Sequence, residues 1–379
     1  MRIGIDARLW NETGVGRYIR NLVFQLQELD TKNEYVLFVR SNDSKNNSFN
    51  FAQEKSSKWK IVKTDIYWHS VAEQMQFPQV LYKEKLDLMH FPYFSLPIFY
   101  HRPFVVTIHD LIINHFPTGK ASTLPYPLYL AKRIGYDLVT KHAVRKAQKI
   151  IVPLTVVKDD MMKMLGVPDK KIVVTYEGVE ISSKDGIATS SSTPRNDAYF
   201  LYVGNAYPHK NLEILIDAFV AFKKENKNDI QLLLVGKDDF FYKRLHEKVA
   251  QERLTGIVFR HDVSDEALFA LYAHAIAFVS ASKMEGFGLP PLEAMTSSCP
   301  VLLADIPSFN EVCRDAAVYF DPYSKESLKE KLHFVYNLDH KQKQEYLRKG
   351  LERIKDFSWE KMAKETLVVY ESCTRIRQN

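Results

Sequence analysis

The chain has 379 residues, 46% of them hydrophobic and 26% charged, a globular composition that excludes a mainly disordered or low-complexity protein. That length is about twice a single core, so two domains are expected. Lys and Arg number 52 against 46 Asp and Glu, and the net charge of +6 suits a phosphorylated small molecule or an anionic membrane surface; without a concentrated patch it does not indicate nucleic acid.

Cys299, Cys313 and Cys373 show neither metal-ligand spacing nor a Cys-x-x-Cys pair, which fits a reducing cytoplasm. The chain opens on Met1 and a strand-like run without a signal-peptide core, and no stretch reaches the roughly 18 apolar residues of a membrane-spanning helix. Any membrane contact is expected to be peripheral, at the inner face.

Residues 3–6 read as the first strand, and 11–17 (Asn-Glu-Thr-Gly-Val-Gly-Arg) as a turn into a helix with apolar Ile19, Leu22, Val23, Leu26 and Leu29. Gly14 and Gly16 resemble a phosphate cradle, but Gly-x-Gly alone is weak, and an ordinary strand-to-helix connection is the better reading of it. Strands follow at 35–39 and 59–63. A dinucleotide-binding fold wants an acid at the end of its second strand; Arg40 and Ser41 stand there, and Asp43 already lies in an Asn-rich loop, which argues against a dehydrogenase.

Residues 87–91 and 104–108 are further strands, the second running into His109-Asp110. A His-Asp pair at a strand's carboxyl end is placed for ligand contact or proton chemistry, and the alternative is a His bonded to a backbone carbonyl beside a turn-capping Asp. A helix over 124–149 carries Lys132, Arg133, Lys141, Arg145, Lys146 and Lys149 among Tyr126, Tyr129 and Tyr136. It suits an anionic membrane or a phosphorylated acceptor, or is simply a solvated charged face. Strands at 149–152 and 172–176 flank a helix over 156–165 that Gly166 stops. From 181 to 197 the sequence turns to Ser, Thr, Gly and Pro, the expected linker.

The pattern then restarts with a strand at 199–203, the loop Gly-Asn-Ala-Tyr-Pro-His-Lys-Asn over 204–211 and a helix over 212–222. Lys210 stands before that helix, placed either to meet a diphosphate or to be merely solvated. Strands at 230–235, 256–259, 275–280, 301–304 and 317–320 alternate with helices at 242–251 and 265–273, and helices at 325–337 and 341–355 follow, so a second parallel sheet is expected. Ser358 is placed to cap a last helix beginning at Trp359.

The most informative stretch is 282–295, Ser-Lys-Met-Glu-Gly-Phe-Gly-Leu-Pro-Pro-Leu-Glu-Ala-Met. A buried strand, a turn bearing Gly286 and Gly288, and a helix whose first positions suit Pro290 and Pro291 make a natural anion site, because helix-start N–H groups face the ligand. Glu285 and Glu293 are placed to accept hydrogen bonds from sugar hydroxyls, and for Glu293, expected in the helix's first turn, capping is the alternative.

This stretch, with seven residues between its two Glu, resembles the donor-site signature of the retaining nucleotide-sugar glycosyltransferases of family 4. Thr-Gly-Val-Gly-Arg17, Thr-Ile-His-Asp110, the run ending Lys210-Asn211, Val263-Ser-Asp-Glu266 and Phe357-Ser-Trp-Glu360 support the resemblance over nearly the whole chain. It implies an α/β protein of GT-B fold, two Rossmann-like doubly wound domains facing across a cleft. Residues 1–180 would form an acceptor-side domain on which the helix of about 359–379 packs back, and 198–358 a donor-binding domain.

The resemblance further implies that Glu293 holds the donor ribose and Glu285 lies by the donor sugar. Backbone groups of Gly286, Phe287, Gly288 and Leu289 would bind sugar and diphosphate, and Lys210 would neutralise the departing diphosphate. Gly14 and Gly16 would admit the phosphates, His109 would contact the sugar near the reacting carbon, and 260–263 would lie near the base. Many members carry Arg where this chain has Asn205, an amide that donates hydrogen bonds but supplies no charge, so more rests on Lys210. Related sequences often have Ser where this chain has Leu154.

With no Asp-x-Asp in the chain, neither metal nor cofactor enters the expectation. The expected reaction moves a hexose, mannose by analogy, from GDP-mannose or a UDP-sugar to a glycan or lipid-linked acceptor, with retained configuration. A nucleotide-sugar epimerase, a phosphorylase and a non-catalytic sugar-nucleotide-binding protein remain the alternatives at this point.

Overall fold

The computed structural model describes residues 1–41, 58–117, 122, 124–180, 198–226 and 229–375. The linker expected at 181–197 and the loop containing Asp43 lie outside the described residues.

The chain divides into two compact units, the first formed by 1–115, 122–178 and 358–379, the second by 116–121 and 179–357. In the first unit the strands are β1 (Arg2–Asp6), β2 (Glu34–Val39), β3 (Trp59–Lys63), β4 (Leu88–Phe91), β5 (Phe104–Thr107), β6 (Lys149–Val152) and β7 (Ile172–Val174). They form a seven-stranded sheet in the order β3-β2-β1-β4-β5-β6-β7. The second unit has β8 (Tyr199–Val203), β9 (Gln231–Val235), β10 (Ile257–Arg260), β11 (Ala277–Ser280), β12 (Val301–Ala304) and β13 (Val318–Phe320). Their six-stranded sheet runs β10-β9-β8-β11-β12-β13.

Strand pairings within both sheets are parallel, in registers such as Ile5 opposite Leu37 and His90, and Phe278 opposite Leu201 and Val301. A parallel sheet is covered on both faces, so its strands read as continuous apolar runs; Val36, Leu37, Phe38 and Val39 are all fully buried. Each sheet is doubly wound, and its strand order reverses between β1 and β4 in the first unit and between β8 and β11 in the second. The loops at those reversals are where such sheets bind ligands.

The last helix, Trp359–Arg375, belongs to the first unit and packs on the helix Gly14–Leu29. The Ser358 hydroxyl accepts from the Lys361 N–H at 3.3 Å, a helix N-cap. Tyr370, fully buried, bonds His90 Nδ1 at 2.6 Å. Gly178, where the chain leaves the first unit, is required by close approach: a Cβ there would lie 2.1 Å from the Trp359 nitrogen.

Some elements differ from the sequence reading. Short helices at Val71–Met75, Phe77–Lys83, Ile112–His115 and Pro307–Cys313 were not anticipated, being too short to show a helical period. Leu154 takes the N-cap position of the helix Thr155–Leu165 without a side-chain cap bond and is instead fully buried, exchanging a cap for core packing. Glu293 is not in a first turn: its helix is Leu289–Thr296, whose first turn holds no acid. A capping role for it is thereby removed, because the orphan N–H groups lie a turn away.

Candidate functional site

In the second unit the loops following β8 and β11, the strands flanking the reversal, carry Lys210 and Glu285. The first loop is pinned at both ends. Gly204, at φ +150°, has its carbonyl bonded by the Tyr242 hydroxyl at 2.8 Å, and the Asn205 carbonyl accepts from Tyr202 at 2.6 Å. At the far end Asn211, in the left-handed region at φ +60°, donates from Nδ2 to the Pro322 carbonyl at 2.9 Å. The Asn205 side chain accepts from the Tyr207 N–H at 3.4 Å and so serves its own loop.

So held, Lys210 Nζ donates to both oxygens of Glu285, at 2.7 and 2.6 Å, across 75 residues of sequence. Burial pushes the Glu285 carboxyl up, but the Lys210 charge and hydrogen bonds, with a bond from Ser282, outweigh it and hold the carboxyl below its usual range. The side chains remain 15% and 13% exposed, so a ligand can reach the pair. A lysine with a carboxylate is a switchable cation: an incoming anion competes for the ammonium, and the carboxylate is freed to accept from hydroxyls.

Beyond Glu285 the backbone turns through Gly286 to Gly288, whose φ of +90° favours glycine, and the helix starts at Leu289. Phe287 is buried, its ring edge-on to Phe357 at 5.6 Å, so only its backbone is available to a ligand. One turn into the helix lies Glu293, 5% exposed, accepting from the Tyr272 hydroxyl at 3.0 Å. A buried carboxylate on an apolar helix is costly to keep without partners, and Tyr272, which no sequence pattern pointed to, supplies one. Near the carboxyl end of β10, His261 Nδ1 bonds the Gly236 carbonyl at 2.7 Å, and His246 stacks on Phe259 at 3.7 Å.

In the first unit Gly14 and Gly16, expected in a turn, open the helix Gly14–Leu29 instead, and they differ. A Cβ on Gly16 would strike the Trp10 carbonyl oxygen at 2.5 Å, so the close approach of the preceding segment to the helix start demands glycine there, whereas a Cβ on Gly14 would meet nothing within 4 Å. Gly14 faces open space and Gly16 does not.

His109 is fixed on both sides. Nδ1 lies 3.0 Å from Glu177 Oε1 and Nε2 lies 2.9 Å from the Pro92 carbonyl. Carboxylate and carbonyl are both acceptors, so satisfying both takes two ring N–H groups and makes His109 an imidazolium. Burial pushes its pKa down, but Glu177, the Pro92 carbonyl and the Asp110 charge outweigh that and raise it above the ordinary histidine value. Tyr18 packs edge-on at 4.9 Å, and the second neighbouring histidine, His90, is kept neutral, lowered to about 3 by burial and the charge of His109. Glu177 was missed by sequence reasoning; the available signal was a carboxylate just beyond the end of β7.

A second buried cluster sits at the end of β1. Arg8 bonds Asp6 at 2.7 Å and Glu73 at 2.6 Å, stacks over Phe77 at 3.8 Å, and Ser95 donates to Glu73 at 2.8 Å. Burial raises the Glu73 carboxyl above its usual range despite Arg8. Among the described residues no group of three or more His, Cys, Asp or Glu is placed to hold a metal ion, and no helix is long and apolar enough to cross a membrane.

Residues 13–183 match the sequence family described as Glycosyltransferase Family 4, and residues 184–352 the one described as Glycosyl transferases group 1. The O-antigen chain mannosyltransferase RfbU of Salmonella typhimurium is 32% identical over 223 residues, 59% of this chain and 58% of that protein. The O-antigen chain mannosyltransferase B of Escherichia coli is 29% identical over 307 residues, 75% of this chain and 74% of that one. The match to the first relative thus spans less than two thirds of its length. In three dimensions the sucrose-phosphate synthase of Thermosynechococcus elongatus superposes with a TM-score of 0.79 at 18% identity, over 99% of this chain and 100% of that chain. Two adjoining family matches, two doubly wound parallel sheets and this superposition agree: the chain belongs to the glycosyltransferases of GT-B fold.

Proposed function

We propose that the protein transfers a mannosyl unit from GDP-mannose to a hydroxyl of a glycan or lipid-linked acceptor, with retained anomeric configuration and without a metal ion, in the cytoplasm. The observation that carries the proposal is the Lys210–Glu285 pair at the strand reversal of the second unit, next to a glycine-started helix. A nucleoside diphosphate sugar has the two kinds of group this arrangement suits, phosphates for the ammonium and the helix N–H groups, and hydroxyls for the carboxylates. The choice of mannose rests on the two O-antigen chain mannosyltransferases among the relatives.

In this mechanism the second unit holds the donor and the first takes the acceptor. Glu293 accepts from the ribose hydroxyls and Glu285 from the sugar, and backbone groups of Gly286 to Leu289 face sugar and diphosphate. As the diphosphate arrives, Lys210 exchanges Glu285 for phosphate oxygen and then stabilises the charge that grows as the bond to the anomeric carbon breaks. Asn205 adds hydrogen-bonding capacity without charge. The acceptor hydroxyl attacks the face the diphosphate leaves, and its proton goes to a departing phosphate oxygen. Gly14 leaves room for phosphate, and the His109 imidazolium supplies a fixed positive charge rather than a proton.

The test is release of nucleoside diphosphate from a panel of nucleotide sugars, with and without an acceptor-containing membrane extract. Acceptor-dependent GDP release from GDP-mannose is expected. Release that is independent of acceptor, or that needs inorganic phosphate, rejects transfer.

A further inference from the structure

Parallel strands covered on both faces are expected to be apolar throughout, and the middle of the first sheet carries two exceptions. His90, in the Leu-Met-His-Phe run of β4, and Thr107, at the end of β5, are both buried. Polar groups placed there cost stability unless they are bonded, and apolar side chains would fill the space without that demand. Both are bonded, and to two helices that pack on each other. His90 Nε2 lies 2.8 Å from Thr107 Oγ1, and His90 Nδ1 lies 2.6 Å from the hydroxyl of Tyr370 on the last helix. Thr107 Oγ1 in turn lies 3.2 Å from the hydroxyl of buried Tyr18, on the helix Gly14–Leu29.

These bonds join into one chain, Tyr370–His90–Thr107–Tyr18, that runs from the last helix across two strands to the first helix. A neutral imidazole has one donor and one acceptor nitrogen, so Tyr370 and Thr107 take opposite roles toward His90, and the bond on one side fixes the bond on the other. The chain reaches His109 by two routes. Thr107 stands two residues before it at the end of the same strand, and the Tyr18 ring packs edge-on against it at 4.9 Å. Around His109 stand Glu177, the Pro92 carbonyl, Asp110, His90 and Tyr18. Tyr370 reaches it through His90. A buried polar chain whose members are all bonded fixes one arrangement of the elements it joins, which an apolar core of the same volume would leave less defined.

We propose that Tyr370 is a positioning residue for the reaction: with His90, Thr107 and Tyr18 it makes the last helix part of the scaffold that holds the His109 ring in place. The inference rests on the transfer reading for its effect on rate, whereas its effect on His109 is read without substrate, so the two fail separately. Tyr370→Phe and Tyr18→Phe each remove one hydroxyl and keep the ring, and the double variant is made with them. Thr107→Val makes the same cut on the strand and replaces Tyr370→Phe should that protein not fold. NMR of the imidazole nitrogens follows the His109 titration and the His90 tautomer, and steady-state rates with GDP-mannose and an acceptor-containing membrane extract give kcat and KM. Tyr370→Phe should move the His109 titration down toward the ordinary histidine value and leave donor KM unchanged. It should lower kcat about 3- to 10-fold, the rate equivalent of one buried hydrogen bond. The double variant should lose less than the product of the two single losses, because both cut one chain. A Tyr370→Phe protein whose melting temperature falls while its His109 titration and kcat stay those of the wild type has lost only a structural bond, and overturns the proposal. Single losses that multiply in the double variant overturn it equally. A wild type without turnover rejects the transfer reading, and the His109 titration then decides this one by itself.

Discussion

The loop ends of the two sheets use charge in opposite ways. In the second unit, Lys210 and Glu285 are bonded to each other, remain partly exposed, and have hydrogen bonds that a ligand can take over. In the first unit, His109 is enclosed between Glu177 and the Pro92 carbonyl, and Arg8 between Asp6 and Glu73, so their bonding capacity is spent within the fold. The difference separates exchangeable charge from fixed charge. In the proposed reaction the groups of the second unit change partners, and the charges of the first stay constant.

The largest effect is expected at the fixed cluster of the first unit. Glu73→Ala leaves Arg8 buried with one partner fewer and is expected to cost about 3–5 kcal/mol of stability, the scale of a broken buried pair. Chemical denaturation measures it; a loss below about 1 kcal/mol would show the cluster to be solvated. Lys210→Ala removes the exchangeable cation and should lower turnover at least ~100-fold. Because it also strands Glu285, the melting temperature is read alongside, and Lys210→Arg should recover part of the rate. Near-normal turnover in the alanine variant removes Lys210 from the mechanism.

A smaller effect is expected at Glu293. Losing hydrogen bonds to a charged group costs about 1.5–3 kcal/mol, or roughly 10- to 150-fold in donor affinity. Calorimetry with GDP-mannose measures it, and unchanged affinity in Glu293→Ala would take the carboxylate out of donor binding. Glu177→Gln sharpens the other side. The raised His109 pKa means that its stabilising contribution is full below the unfolded value near 6.5 and is lost as pH rises through the folded value. The variant should therefore lose the imidazolium at lower pH, shifting the alkaline limb of the rate profile downward, with the ring nitrogens followed by NMR. Coincident titration curves in the two proteins would contradict a fixed cation. Least of all should follow from chelator, which is expected to leave the rate unchanged; collapse with recovery on added magnesium would refute metal-free transfer.

The strands were legible because parallel sheets demand continuous apolar runs, and 35–39 and 301–304 have them. The glycine-started helix was legible from Gly288 and the two prolines, which suit one backbone path. Contacts across long stretches of sequence were not. Lys210 and Glu285 were each singled out, but nothing local says that they bond each other across 75 residues. His109 was singled out and Glu177 was not, because a carboxylate beyond a strand end is commonplace until the fold brings it to an imidazole. Glu293 was read one turn too early in its helix, since the start depends on the positive φ of Gly288 rather than on the first apolar residue.

Exchange of Lys210 from Glu285 to the leaving diphosphate is the center of the account, and the rate of GDP release from GDP-mannose in wild type and Lys210→Ala, each at saturating donor, tests it most directly. The account predicts release in the wild type and a loss of at least ~100-fold in the variant while bound donor is still detected. Equal rates in the two proteins, or release from no nucleotide sugar, would contradict it.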